Sequence, residues 1–185
     1  GSGGLAMEQM MKEGIIGAVF DYAMGEIADE VFGGLRAASP ERLTVAGKLG
    51  LPQVIVPGGC EHLGLLVEPN QVPDEWKDVQ LVFHTPIVFV PRLDAERWCQ
   101  VGQVIADRLA ASTTGKCTMM LPLDGTSRYC IEGGELRNPE LDAAFFAYMK
   151  DALPDTVEVR EHPGHAEDPT FVDACVDRLV ELIEG

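Results

Sequence analysis

Apolar positions along this chain fall into short solid runs that alternate with longer periodic stretches. The solid runs predict buried strands at residues 15–20, 53–57, 81–83, 87–90 and 117–121, with a last strand marked by Val157 and Val159. None of them switches strictly between apolar and polar, so both faces of the sheet they build are expected to be covered. The periodic stretches predict helices. Leu5, Met7, Met10 and Met11 give residues 4–13 an apolar side, and residues 26–35 form a second helix. Trp98, Val101, Ile105 and Leu109 share one face of a helix capped by Asp94. Three more helices are expected to open on a polar cap followed by proline, at Ser39-Pro40, Asn138-Pro139 and Asp168-Pro169. Two long irregular stretches remain, 58–79 and 122–138, of a length that usually serves function. Strands interleaved with helices predict an α/β fold: a three-layer Rossmann-like sandwich with a mainly parallel sheet of about five strands.

Composition narrows the classes. The 185 residues suit one domain, 1–185, and 46 % hydrophobic content supports a real core. No apolar run reaches the roughly 18 residues of a membrane span, and no basic-then-apolar leader is visible, so a cytoplasmic protein is expected. The formal net charge of −16 argues against nucleic acid, whose phosphates call for clustered Lys and Arg. Five cysteines, odd in number and without a Cys-x-x-Cys pair, fit a reducing compartment better than a disulfide framework or a zinc knuckle.

Open parallel sheets bind ligands beyond the C-terminal ends of their strands. The segments that follow the expected strand ends hold all four histidines of the chain. They are Asp21 to Ala23, Gly58 to His62, His84 to Pro86, Pro122 to Ser127 and His162 to His165. The candidate chemistry gathers there. Glu26, Asp29 and Glu30 share one helical face near Asp21, an arrangement that repels itself unless it serves a metal or ligand hydroxyls, or unless Asp29 and Glu30 face water. Cys60, Glu61 and His62 hold metal-binding and nucleophilic groups, but adjacent side chains rarely converge on one ion, so no metal is assigned. Gly125 and Ser127 offer backbone and hydroxyl contacts to an anion, although the segment has neither a P-loop ending nor a Gly-x-Ser-x-Gly elbow. His165 could donate a proton, and Asp168 caps the last helix. At the start of the chain, Ser2, Gly3 and Gly4 would present bare N–H groups at the positive end of a helix, a seat for phosphate or carboxylate. Gly-Ser is also a frequent tag remnant.

The ordered motifs resemble one family. Gly-Ser-Gly-Gly-x-Ala-Met-Glu is followed by Gly17-Ala-Val-Phe-Asp21, then Glu26-Ile-Ala-Asp-Glu30 and Gly33-Gly34. Later come Ala46-Gly47, Gly50-x-Pro52-Gln53-Val54, Pro57-Gly58, Val72-Pro73, His84-x-Pro86, Leu121-Pro122-Leu123-x-Gly125-x-Ser127 and His165-x-x-Asp168-Pro169-x-Phe171. The set is similar to the Tm-one-like ATP-binding domain family, whose plant relatives include the tomato mosaic virus resistance protein. The resemblance runs nearly end to end. It implies the C-terminal half of a two-domain α/β protein, a native glycine-rich start, and a ligand site in a cleft shared with an N-terminal domain. ATP, with magnesium, is the cofactor it suggests. The family's usual basic residue is replaced here by Asp124, and its frequent asparagines by Thr85 and Glu167, which weakens the case for a triphosphate.

The expected function is therefore small-molecule binding, to a nucleotide or another phosphorylated or carboxylated metabolite. Ser2, Gly3, Gly4, Asp21, Glu26, Asp29, Glu61, Gly125 and Ser127 are the candidate ligand residues, with His84 and His165 as candidate catalytic groups. Whether there is turnover stays open. The alternative is a regulatory module acting through protein contacts or as a homo-oligomer, with the helices and the 58–79 stretch as its surface.

Overall fold

A computed structural model describes residues 2–185. Its main sheet has four parallel strands in the order β1-β2-β6-β7: β1 Val19–Ala23, β2 Gln53–Gly58, β6 Cys117–Pro122 and β7 Val157–His162. The two central strands, β2 and β6, are buried at every position, and the edge strands only in part. Successive side chains go to opposite faces, and both faces are apolar, so the solid hydrophobic runs follow from burial on two sides. Ile55, Met119 and Leu121 join the larger core, with α2 Gly25–Phe32, α4 Ala95–Leu109 and α5 Pro139–Ala152. Within that core Trp98 stacks on Phe145, with ring centres 4.1 Å apart. Val54, Val56 and Met120 face the other way, onto Phe171, Cys175 and Leu182 of α6 Pro169–Glu184. α1 Ser2–Lys12 and α3 Thr44–Leu49 pack together beside β1 through Met11, Val19, Val45 and Ala46.

The α/β sandwich and its parallel sheet agree with the sequence reading, but the runs at 81–83 and 87–90 do not join that sheet. They form β4 Leu81–Thr85 and β5 Val88–Pro91, an antiparallel pair that makes a separate sheet with the short β3 Leu65–Leu66. Only Pro86 and Ile87 lie between β4 and β5. A connection that short can reverse the chain but cannot carry it back for a parallel pairing.

The helix expected at Ser39-Pro40 is also different. Residues 40–43 form turns, and the helix begins only at Thr44. Leu43 has φ 75°, a left-handed conformation that costs a bulky residue about 1–3 kcal/mol and persists only when its surroundings impose it. Here the Leu43 N–H donates to Glu8 Oε1 at 2.8 Å, and the neighbouring Arg42 side chain enters the protein. The other proline-led helices start as expected, with Asn138 accepting from Leu141 N and Asp168 from Thr170 N.

Candidate functional site

A cavity of about 600 Å³ opens at the C-terminal ends of β1, β2 and β6. Gly3, Gly4 and Met7 of α1 form one wall, and Gly25 and Glu26 at the start of α2 form another. Gly58 and Gly59 lie on its floor, Thr126, Ser127 and Arg128 close the side after β6, and Tyr22 and Glu167 complete the rim. Two helix N-termini thus meet at one space, and the first N–H groups of each helix have no acceptor within their own helix.

Glycine is required where these walls touch. A Cβ on Gly58 would lie 2.2 Å from the Tyr22 carbonyl oxygen, and one on Gly25 would lie 2.7 Å from that of Gly59. On Gly4 it would fall 2.3 Å from Glu26 Oε1 and 2.5 Å from Arg42 Nε, whereas on Gly3 it would meet nothing within 4 Å.

Arg42 organises the acidic wall. It is 2 % exposed and places its guanidinium among three carboxylates. NH1 is 2.6 Å from Asp21 Oδ2 and 3.7 Å from Glu8 Oε1, NH2 donates to Asp21 Oδ1 at 2.7 Å, and Nε donates to Glu26. Burial opposes the Arg42 charge, but its bonds to Asp21 and Glu26 outweigh that and hold the cation more firmly than usual. Burial raises the carboxyl pKa of Asp21 and of Glu8, with Arg42 pulling the other way in both. The three acids on the α2 face each meet a different arginine. Glu26 takes Arg42, Glu30 takes Arg108 in a two-pronged pair at 2.7 and 2.9 Å, and Asp29 takes Arg36. Asp29 is fully buried, accepts from Arg36 N, Nε and NH2 and from Gly64 N, and stands behind the cavity rather than on it.

Behind Ser127 lies a second polar group. Glu61 is fully buried and its carboxylate receives four donors: the Ser127 hydroxyl, Thr126 Oγ1 at 2.8 Å, His62 Nδ1 at 2.8 Å and the Cys130 thiol at 3.5 Å. Burial works against its charge, yet attraction to His62 and the bonds from His62 and Ser127 hold the carboxyl down at about 2. His62 Nε2 faces Arg36 NH1 at 3.4 Å, and the imidazole stands edge-on to Tyr129. Cys60 points elsewhere. It accepts from Trp98 Nε1 and bonds the Pro57 carbonyl, and burial pushes its thiol far up. Cys60 therefore diverges from the bonded Glu61–His62 pair, and among the described residues no cluster of three or more His, Cys, Asp or Glu is placed to hold a metal ion.

Of the expected ligand residues, Gly3, Gly4, Asp21, Glu26 and Ser127 line the cavity together. Ser2 is exposed at the start of α1, beside them. Glu61 and Asp29 support the wall from behind. Gly125, at φ 124°, shapes the loop: a Cβ there would sit 2.9 Å from the Cys130 carbonyl oxygen. The two candidate catalytic histidines are not on the cavity. His84 is exposed on β4 and pairs with Tyr129 OH at 2.9 Å. His165 accepts from Glu167 N at 3.1 Å, so it helps to place Glu167. Asp124, which stands where the family's usual basic residue would, pairs with Arg137 at 3.0 Å and does not line the cavity. Sequence reading missed Arg36, Arg42 and Arg128, and touched Tyr22 only within a strand-end segment and Glu167 only as a departure from the family pattern.

The model of the uncharacterised protein family UPF0261, C-terminal domain, matches residues 1–183. The chain belongs to that family. It is 32 % identical over 185 residues to a UPF0261 protein of Clostridium tetani, covering all of this chain and 45 % of that protein. Against a UPF0261 protein of Rhizobium meliloti the identity is 30 %, over 95 % of this chain and 44 % of the relative. It is 26 % identical to the ToMV resistance protein Tm-1(GCR237) of Solanum lycopersicum, over 98 % of this chain and 24 % of that protein. The chain thus spans less than half the length of the curated relatives it matches, and its Tm-one-like resemblance is that of a C-terminal domain. Among the described residues no helix is long and apolar enough to cross a membrane.

Proposed function

We propose that the cavity binds a small organic anion, a phosphorylated or carboxylated metabolite such as a nucleotide. The observation that carries this reading is the meeting of the α1 and α2 N-termini at one glycine-floored space. Arg128 adds to it: the side chain is exposed on the rim and makes no ion pair among the described residues. A phosphate fits these donors. A magnesium ion fits less well, because both Asp21 oxygens and one Glu26 oxygen are already engaged by Arg42. In the longer relatives, the half that precedes this domain would close the cavity as the second wall of a cleft.

A thermal-shift screen of nucleotides, sugar phosphates and small carboxylates, with and without magnesium, tests this on the domain and on a full-length relative. A ligand at about 100 times its Kd adds roughly 2.7 kcal/mol of stability. Arg128→Ala should reduce the shift, and a flat response of both proteins to every anion sinks the proposal.

A second reading has one observation in its favour. Leu66 on β3, Ile87 in the β4–β5 turn and Leu35 are 65 %, 47 % and 48 % exposed. Their neighbours are bonded, Leu35 N to the Gly64 carbonyl and Val67 N to that of Ile87, so the three lie in one region. Leu66→Ser with Ile87→Ser should abolish any self-association seen by sedimentation and leave anion binding intact.

A further inference from the structure

Three hydroxyl-bearing residues line the cavity, each with a single proton, and buried Thr126 gives its proton to Glu61. The Ser127 hydroxyl donates to Glu61, a carboxylate with no proton to give back. The Tyr22 hydroxyl donates to the Ala166 carbonyl, which can only accept. Neither can redirect its proton to a ligand without leaving a protein acceptor short, and Glu61 is fully buried. What either oxygen has left to offer a ligand is therefore a lone pair. Elsewhere on the wall the backbone N–H groups of the helix N-termini and Arg128 are donors, while Glu26 in the first turn of α2 is paired with Arg42. The cavity is polarised, with donors at one part and bare acceptors at another.

We propose that Ser127, with Tyr22, selects ligands that carry free hydroxyl groups beside their anion, so that the site takes a polyol phosphate and rejects its deoxy counterpart. The inference rests on the anion reading above and deepens it. A bare phosphate next to Ser127 would face lone pairs with lone pairs, whereas a sugar hydroxyl there supplies the missing proton. Of the carboxylates that the sequence suggests for this task, Asp29 stands behind the cavity with both oxygens committed to Arg36 and Gly64, and Glu26 is paired with Arg42. The chemistry is shared by free sugar phosphates and by nucleotides, and matched pairs of probes separate the two sources.

The test is isothermal titration calorimetry of the full chain with inorganic phosphate, ribose 5-phosphate, 2-deoxyribose 5-phosphate, AMP and 2′-deoxy-AMP. The wild type should favour the hydroxylated member of at least one pair by about tenfold or more, since a polar group left unpaired on binding is heavily penalised. The pair that shows the preference names the source. Ser127→Ala should bind the deoxy member as the wild type does and lose most of the preference. Tyr22→Phe, which keeps the ring and its packing, should lose part of it and provides a check if Ser127→Ala unfolds. If the wild type binds both members of each pair alike, the inference is overturned while the anion site survives. If none of the five probes binds, this inference is overturned and the phosphate form of the anion reading falls with it, leaving only the carboxylates of the wider screen.

Discussion

Replacing Glu61 with glutamine should reveal how much folding free energy this buried carboxylate holds, and only above a certain pH. Its carboxyl sits at about 2 in the folded protein against an ordinary 4.5. Each unit of difference is worth about 1.4 kcal/mol, so ionised Glu61 contributes on the order of 3 kcal/mol. The folded pKa is lowered, so that contribution is complete above about pH 4.5 and fades as the pH falls toward 2. Glutamine would be a poor substitute at neutral pH: its one acceptor oxygen must serve Ser127, Thr126 and His62, while its amide hydrogens are pushed against donors. Urea unfolding of the wild type and Glu61→Gln at pH 7, 5, 4 and 3 measures this. At pH 7 the variant should be less stable by about 3 kcal/mol. The gap should narrow below pH 4.5, because the wild type alone loses this contribution. A gap that stays constant from pH 7 to pH 3 would falsify the assignment of Glu61 as an ionised hub.

Arg42→Met should cost about 3–5 kcal/mol, the usual result of stranding buried carboxylates. Asp21 and Glu8 have raised pKa values and would take up protons more readily still, so the loss should be smaller at pH 5 than at pH 7 in urea unfolding. Gly3→Ala and Gly4→Ala form a matched pair one residue apart. The first should stabilise α1 by about 0.5–1 kcal/mol through helix propensity. The second should lower the Tm and weaken anion binding, because its Cβ collides with the Glu26–Arg42 pair. For the thiols, Cys60, Cys117, Cys130 and Cys175 are buried and Cys99 is half-buried. A disulfide reagent should label Cys99 first in the folded protein and all five after denaturation. Early loss of Cys60 or Cys130 would contradict the packing.

The parallel sheet and the position of the site were legible because strand burial and strand ends both leave marks in sequence. Asp21 and Ser127 could be singled out by strand ends, Gly4 by the glycine-rich helix start and Glu26 by the acidic face of its helix. The arginines could not. Arg42 reaches Asp21, Glu26 and Glu8 from beside a leucine with a left-handed backbone, and nothing in residues 39–43 announces that Leu43 will adopt it. Ser39-Pro40 read as a helix start for sound local reasons, and the buried ion cluster overrode them. The β4–β5 hairpin was within reach of sequence reasoning: two residues between the strand ends leave no length for a crossover. The histidines near strand ends were a good pointer to the region and a poor one to roles. His62, bonded to Glu61, is nearer the cavity wall than His84, whose strand belongs to the other sheet.

The all-parallel main sheet also fixes the order in which this chain can be assembled. Partner residues in it lie about 35 to 65 positions apart, as with Val19 and Gln53 or Gln53 and Cys117, so no main-sheet pairing is local. The β4–β5 hairpin, closed by two residues, needs only local contacts and can form before β6 is in place. β2, destined for the centre, must wait with one edge open until β6 emerges, and an apolar strand left open in that way is prone to pair with another chain. Nascent chains halted between β2 and β6 are therefore where aggregation and chaperone capture should concentrate.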